Sequence, residues 1–306
     1  MLMNAVFEGG GVKGISLVGA VKSAELAGVS FHRLAGTSSG AIVASLLAAG
    51  FNADEMNQII HQTPFVSFLR RSPIFNTKFV GPPLRVMLKK GLYSGEALEQ
   101  WMRRILLEKN ISTFSDLPPG KLQIVASDIS NGKVLILPDG LRKFGINPDK
   151  FEVAKAVRMS TSIPYFFDPV MLRQTGLAAK GKSFAEQFVY IVDGAVLSNF
   201  PLWLFNNEKS RSTGLPIPTI GFQMVGKQEG VPHHIRGPFS MLQALFMTIL
   251  SAHDERYIEK ETSFRTIKIP TLGVSTTNFR ITNEESTALF NSGFEAGKHF
   301  FGTWKK

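Results

Sequence analysis

The sequence predicts an α/β fold on a mainly parallel central sheet, and three observations carry that prediction. A strand-like start, Leu2 to Phe7, runs into the turn Glu8-Gly9-Gly10-Gly11-Val12-Lys13-Gly14 and then an apolar helical stretch, Ile15 to Ala27. A second short strand, Val29 to Ala35, runs into Gly36-Thr37-Ser38-Ser39-Gly40 and then the helical stretch Ala41 to Ala49, with Gly50 as its stop signal. Ser38 lies 29 residues beyond Gly9, the length of about one strand–helix–strand unit. A right-handed crossover then puts both turns at the carboxyl ends of parallel strands, where open α/β sheets form their sites.

Each turn brings its own chemistry. Gly36 to Gly40 fits a Gly-x-Ser-x-Gly nucleophile elbow, which holds a serine in strained geometry with its Oγ exposed at the sheet edge. The glycines on either side let strand and helix pass without Cβ clashes. The Gly9–Gly11 turn presents backbone N–H groups at a helix N-terminus, an arrangement suited to a developing oxyanion. Gly9-x-Gly11-x-x-Gly14 also matches a dinucleotide fingerprint, but that site expects an acidic residue near the end of the second strand. Here that strand ends in Leu34-Ala35 and enters the serine elbow. The cofactor reading is weak.

A serine hydroxyl needs a neighbouring base. Asp193, in Tyr190-Ile191-Val192-Asp193-Gly194-Ala195, is delivered by an apolar strand to a tight turn. Asp139-Gly140 shows the same pair as an ordinary turn. A triad in α/β-hydrolase order needs a histidine after Asp193, and the candidates are His233, His234, His253 and His299. His253 shares a helical stripe with Leu242, Leu245, Phe246 and Ile249, which fits packing, and His233 and His234 lie in a Gly/Pro-flanked loop. No histidine has a motif of its own, which favours a Ser38–Asp193 dyad. Gly176 to Ser183 matches the phosphate-binding pattern Gly-x4-Gly-Lys-Ser, but that loop must open a sizeable helix. Only Phe184 to Gln187 precede the next strand, so the stretch reads as a hairpin loop. No metal-ligand spacing stands out.

With 306 residues and 44% hydrophobic content the chain can bury a large core, and no linker or charge block divides it. A single domain over residues 1–306 is the expectation. The absence of cysteine rules out disulfides and thiol catalysis and fits a cytoplasmic protein. No signal peptide is visible, and the apolar runs fall short of the roughly 20 residues of a membrane span. Net charge is +10, concentrated where Met56 to Gly95 holds no Asp or Glu. There Arg70, Arg71, Lys78, Arg85, Lys89 and Lys90 interleave with aromatic and aliphatic residues such as Phe65, Phe68, Phe75 and Phe79. Residues 56–95 read either as a cap whose apolar side enters the core or as a contact for an anionic membrane surface. No recognised nucleic-acid module is legible.

In these motifs the chain resembles the patatin-like phospholipases. Gly9 to Gly14 is similar to their oxyanion loop, Gly36 to Gly40 to their nucleophile elbow, and Asp193-Gly194-Ala195 to their dyad motif. Ser160-Thr161-Ser162-Ile163-Pro164-Tyr165-Phe166-Phe167-Asp168-Pro169 and Gly91 to Leu98 are similar to further family runs, in the same order. Glu8 stands where many members have Asp, and Ala195 where many have Gly. The resemblance implies a three-layer α/β/α fold and lipid acyl-ester hydrolysis of the phospholipase A or lysophospholipase type, without metal or cofactor. It implies an acyl-enzyme on Ser38, Asp193 as base, Gly9, Gly10 and Gly11 as oxyanion donors, and Lys13, Gly14, Gly36, Gly40 and Gly194 as support. An acyltransferase or triacylglycerol lipase with the same dyad, or a silent lipid-binding effector, are the alternatives. The partners expected are a phospholipid or other acyl lipid and, peripherally, the anionic membrane surface.

Overall fold

The computed structural model describes residues 1–69, 85–86, 88–206, 216–226 and 263–304, with isolated positions between 235 and 248. β1 (Leu2–Phe7) is buried from Met3 onward, as a strand with apolar cover on both faces must be. It pairs in parallel with β2 (Ser30–Thr37) on one side and β9 (Thr219–Val225) on the other. β10 (Thr266–Pro270) extends the sheet beyond β9, and β4 (Leu122–Asp128) extends it beyond β2, both in parallel. The far edge is antiparallel: β5 (Lys133–Leu137) and β8 (Phe188–Asp193) each pair with β4, and β7 (Val170–Arg173) pairs with β8.

Side chains alternate across this sheet. Phe7 stacks on Phe222 at 4.6 Å within the main core, while Val6 and Ala35 face Leu202 and Phe205 in a second cluster. α1 (Ile15–Leu26) and α2 (Ser39–Ala48) follow the two glycine turns. α2 buries residues from Ser39 to Leu46 around most of its circumference, so it is a core helix rather than an amphipathic one. α3 (Ala53–Gln62) starts with a capping box between Asn52 and Glu55 and carries Met56 into the core. α4 (Glu96–Glu108) and α5 (Val153–Ser160) follow, and α6 (Asn283–Thr303) packs along α1. Helices cover both sides of the sheet, and none among the described residues is long and apolar enough to cross a membrane.

Part of the acid-free segment departs from a solvated charge run. Arg85 is buried, with its guanidinium forked onto both carboxylate oxygens of Asp168 at 2.8 Å. An arginine fork matches a carboxylate in this bidentate way, so Arg85 is not a surface cation. Phe68 is buried too, edge-on to Trp101 at 5.3 Å. Arg70, Arg71, Phe75, Lys78 and Phe79 lie outside the described residues. β3 (Gly91–Tyr93) then pairs with β6 (Tyr165–Phe167) in a small separate parallel sheet.

Candidate active site

The turn from β2 into α2 places Ser38 at φ 53°, ψ −123°, backbone that a residue with a Cβ adopts only under strain. The crossing is tight: a Cβ on Gly36 would lie 2.3 Å from the Gly40 carbonyl oxygen, and one on Gly40 would lie 2.3 Å from that of Phe7. Any larger residue at either position would push strand and helix apart. Ser38 Oγ donates to Asp193 Oδ2 at 2.7 Å, and both residues are buried. The other carboxylate oxygen, Oδ1, accepts from the Ala195 amide at 2.9 Å.

Asp193 arrives from an unexpected direction. β8 runs antiparallel to β4 and pairs only with Ala126, Ser127 and Asp128, the part of β4 that continues past its last β2 partner, Val125. The end of β8 therefore meets the end of β2 head-on. Burial pushes the Asp193 carboxyl up to about 7, against the smaller opposing pull of the Ala195 amide and the Ser38 hydroxyl. A carboxylate with that affinity for a proton is suited to exchange one near neutral pH.

Two residues missed as site members hold the elbow. Ser160, at the end of α5, accepts from the Ser38 amide at 2.9 Å through its Oγ, which donates to the Val125 carbonyl at 2.5 Å. The Asp193 amide donates to the Ser162 carbonyl at 2.9 Å. Ser160 and Ser162 open the run Ser-x-Ser-x-Pro, a signal present in the sequence, but its meaning is tertiary. Behind them lies Arg158, buried, donating to Ser162 Oγ and to the carbonyls of Ser94 at 2.6 Å and Asp168 at 2.7 Å. Burial lowers its pKa to about 10, so it stays cationic at neutral pH.

The glycine loop lies against the same elbow. Gly9 donates its amide to the Asn199 carbonyl at 3.2 Å, and Gly10 donates to Ser39 Oγ at 3.0 Å. Gly11 has φ +57°, and a Cβ there would lie 2.1 Å from the Thr276 carbonyl oxygen; its amide has no hydrogen-bond partner among the described residues. Glu8 is buried and accepts from the Met224 amide at 2.5 Å and from Asn199 Nδ2 at 3.4 Å, which ties the loop to the end of β9. Lys13 is half-buried, its stem beside Gly10, and its amide donates to the Gly10 carbonyl at 3.3 Å. Gly14 is buried at the start of α1 and Gly194 opens the turn after β8.

Beside this loop an apolar cavity of about 60 Å³ is lined by Gly11, Ser39, Ile42, Leu46, Met56 and Trp101 with their neighbours. His299 is exposed on α6, while His233, His234 and His253 lie outside the described residues. Gly176 to Ser183 lies in the connection between β7 and β8 and leads into a strand, as its spacing predicts.

The family model for patatin-like phospholipases matches residues 5–206, a span that holds the glycine loop, the elbow and Asp193. The chain belongs to the patatin-like phospholipase family. Among similar proteins, YqhO of Bacillus subtilis (strain 168) is 39% identical over 306 residues, 99% of each chain. The probable lipid hydrolase 463L of Invertebrate iridescent virus 6 is 24% identical over 218 residues, 67% of this chain and 65% of its own. The crystal structure of VipD from Legionella pneumophila superposes with a TM-score of 0.57 at 14% identity, covering 98% of this chain and 67% of VipD. That likeness extends the patatin-like fold across the chain.

Proposed function

We propose that this patatin-like protein is a lipid acyl hydrolase of the phospholipase A or lysophospholipase type, working through Ser38 and Asp193. The observation that carries the reading is the 2.7 Å hydrogen bond from Ser38 Oγ to Asp193 Oδ2 at a strained strand-to-helix turn. Asp193 takes the hydroxyl proton as Oγ attacks the carbonyl carbon of a fatty-acyl ester. The carbonyl oxygen becomes an oxyanion, and the loop amides of Gly10 and Gly11 donate to it, with the Gly10 amide released from Ser39 Oγ. The Gly9 amide, held by Asn199, keeps the loop in place instead. One oxyanion donor typically lowers such a barrier by about 3–4 kcal/mol.

Collapse of the tetrahedral intermediate expels the lipid alcohol, which takes the proton from Asp193 and leaves an acyl ester on Ser38. Asp193 then accepts a proton from water, the hydroxide attacks the acyl carbon, and the fatty acid leaves as Ser38 regains its proton. The apolar lining next to Gly11 and Ser39 supports the first carbons of an acyl group as what is held there, the cavity being only about 60 Å³.

Fatty-acid release from a panel of phospholipids, lysophospholipids and triacylglycerols, wild type against Ser38→Ala, tests the proposal. Release by the wild type alone is expected. Equal release by both proteins, or none from any lipid, overturns it, and transfer of the acyl group to an added alcohol in preference to water identifies an acyltransferase.

A further inference from the structure

The register of β8 fixes where its hairpin goes. Asp193 pairs with Ala126 and Ile191 with Asp128, so moving back along β8 to Phe188 means moving outward past the carboxyl edge of the sheet. Five residues of strand correspond to about 17 Å. The connection between Arg173 and Phe188 therefore stands beyond the edge that carries Ser38, on the side from which a substrate approaches. Its residues make two short 3-10 turns that bury no side chain, and Gln174 at its root is the one buried residue of the connection.

What this connection exposes is unusual for a surface turn. Leu177 is 88% exposed and Phe184 68% exposed. The cations Arg173, Lys180 and Lys182 flank them, and none is in an ion pair among the described residues. Arg173 lies over the Phe184 ring at 5.3 Å, and Lys182 donates to Gln174. The one acid of the loop, Glu186, accepts from the Ser183 amide at 2.8 Å and hydroxyl at 2.7 Å, and its weaker attraction to Lys182 leaves Arg173 and Lys180 uncompensated by it. Lys90, exposed within the acid-free segment, lies 5.0 Å from the ring of Tyr190 on the same hairpin and adds a fourth cation.

We infer that the β7–β8 hairpin docks the protein on an anionic lipid bilayer, with Leu177 and Phe184 entering the interface and the lysines meeting lipid phosphates. Apolar tips ringed by cations are what such an interface selects. The placement brings the carboxyl edge of the sheet to face the bilayer, so a lipid leaving it moves toward Ser38. The inference rests on the hydrolase reading for its purpose, but not for its test. The loop's match to a phosphate-binding motif arises from the same small residues and lysines, which here project outward.

Flotation with vesicles of phosphatidylcholine, with and without phosphatidylglycerol, tests it using the Ser38→Ala protein, so that binding is read without chemistry. Binding should require the anionic lipid and fall as salt is raised. Lys180→Gln with Lys182→Gln should weaken it about 25-fold, at roughly fivefold per cation, and Leu177→Gln should weaken it about tenfold. In the active protein, these substitutions should leave hydrolysis of a soluble short-chain ester unchanged and lower it on vesicles. Vesicle binding that ignores the substitutions or the anionic lipid overturns the inference. So does a loss of self-association in the variants with no vesicle binding by the parent, which would assign the hairpin to a protein interface. Failure of all ester hydrolysis with normal vesicle binding would sink the proposed activity and leave the docking surface standing.

Discussion

Asp193 and Ser38 meet at 2.7 Å although the strands that carry them run in opposite directions. The encounter depends on β4, which is parallel to β2 up to Val125 and then offers its next three residues to β8. The Asp193 amide is held in turn by the Ser162 carbonyl, and the Ser38 amide by Ser160 Oγ. Ser38 and Asp193 are thus each fixed at the end of α5, which makes their separation a property of one helix terminus.

The nucleophile assignment predicts selective labelling. A fluorophosphonate probe should modify the wild type at Ser38 and fail on Ser38→Ala, with hydrolysis falling by several orders of magnitude, up to about 10⁶ as in a known triad. Intact-protein mass spectrometry after labelling reads the result. Modification of Ser39 instead would move the nucleophile by one residue.

The raised Asp193 pKa predicts opposite effects of pH on rate and stability. The base must be ionised, so kcat/KM should fall about tenfold per pH unit below about 7 and level off above it. For stability the sign reverses. A buried carboxyl whose folded pKa is raised holds its proton more tightly in the native state. Its contribution is fully present below the unfolded carboxylate range and is lost as pH rises to about 7. Asp193→Asn keeps the shape without the charge. Its Tm relative to wild type should therefore increase from pH 5 to pH 8 while its turnover collapses. A difference in Tm independent of pH would contradict the buried-charge account.

Ser160→Ala isolates the support of the elbow. The substitution leaves the buried Ser38 amide and Val125 carbonyl without their shared partner, at a cost of about 1–3 kcal/mol for each unsatisfied group. Thermal unfolding should show the loss. Turnover of a soluble ester should fall with KM little changed, because the cavity residues are untouched. A normal kcat in a destabilised protein would make Ser160 purely structural.

What the sequence disclosed about this site follows from the range over which each feature acts. Ser38 and the two glycine turns were legible because an elbow needs small residues within five positions, and the flanking strands and helices came with them. The direction of β8 was not, since an apolar run ending in Asp-Gly says nothing about which way it enters a sheet. That is decided by the connection from β7. Ser160 lies 122 residues from Ser38 and acts through a single hydroxyl, so the Ser-x-Ser-x-Pro run marks its position but not its role. Arg85 belonged to a run without acids, yet Asp168, 83 residues on, neutralises it in the interior. Gly9, Gly10 and Gly11 are alike as donors in the sequence, and only tertiary bonds tell them apart, Gly9 to the Asn199 carbonyl and Gly10 to Ser39 Oγ.

The apolar cavity makes a prediction about acyl length. Ser39 and Leu46 both line it, seven residues and about 10 Å apart on α2, so its walls run along that helix, and its volume of about 60 Å³ must widen to admit a long chain. A chain attached at Ser38 that enters beside Ser39 would reach Leu46 near its far end. Leu46→Phe fills that end, and Leu46→Ala enlarges it at a stability cost of about 2–5 kcal/mol. Each buried methylene contributes about 0.8 kcal/mol, so excluding two of them should lower kcat/KM for a palmitoyl ester roughly tenfold in Leu46→Phe. A butyryl ester, too short to reach the substitution, should be hydrolysed at the wild-type rate. Leu46→Ala should keep its activity on the palmitoyl ester wherever the protein remains folded. Competition between the two esters in one reaction measures the ratio directly and cancels any loss of folded enzyme. A ratio identical in wild type and Leu46→Phe would place the acyl chain elsewhere and leave this cavity as a packing defect of the core.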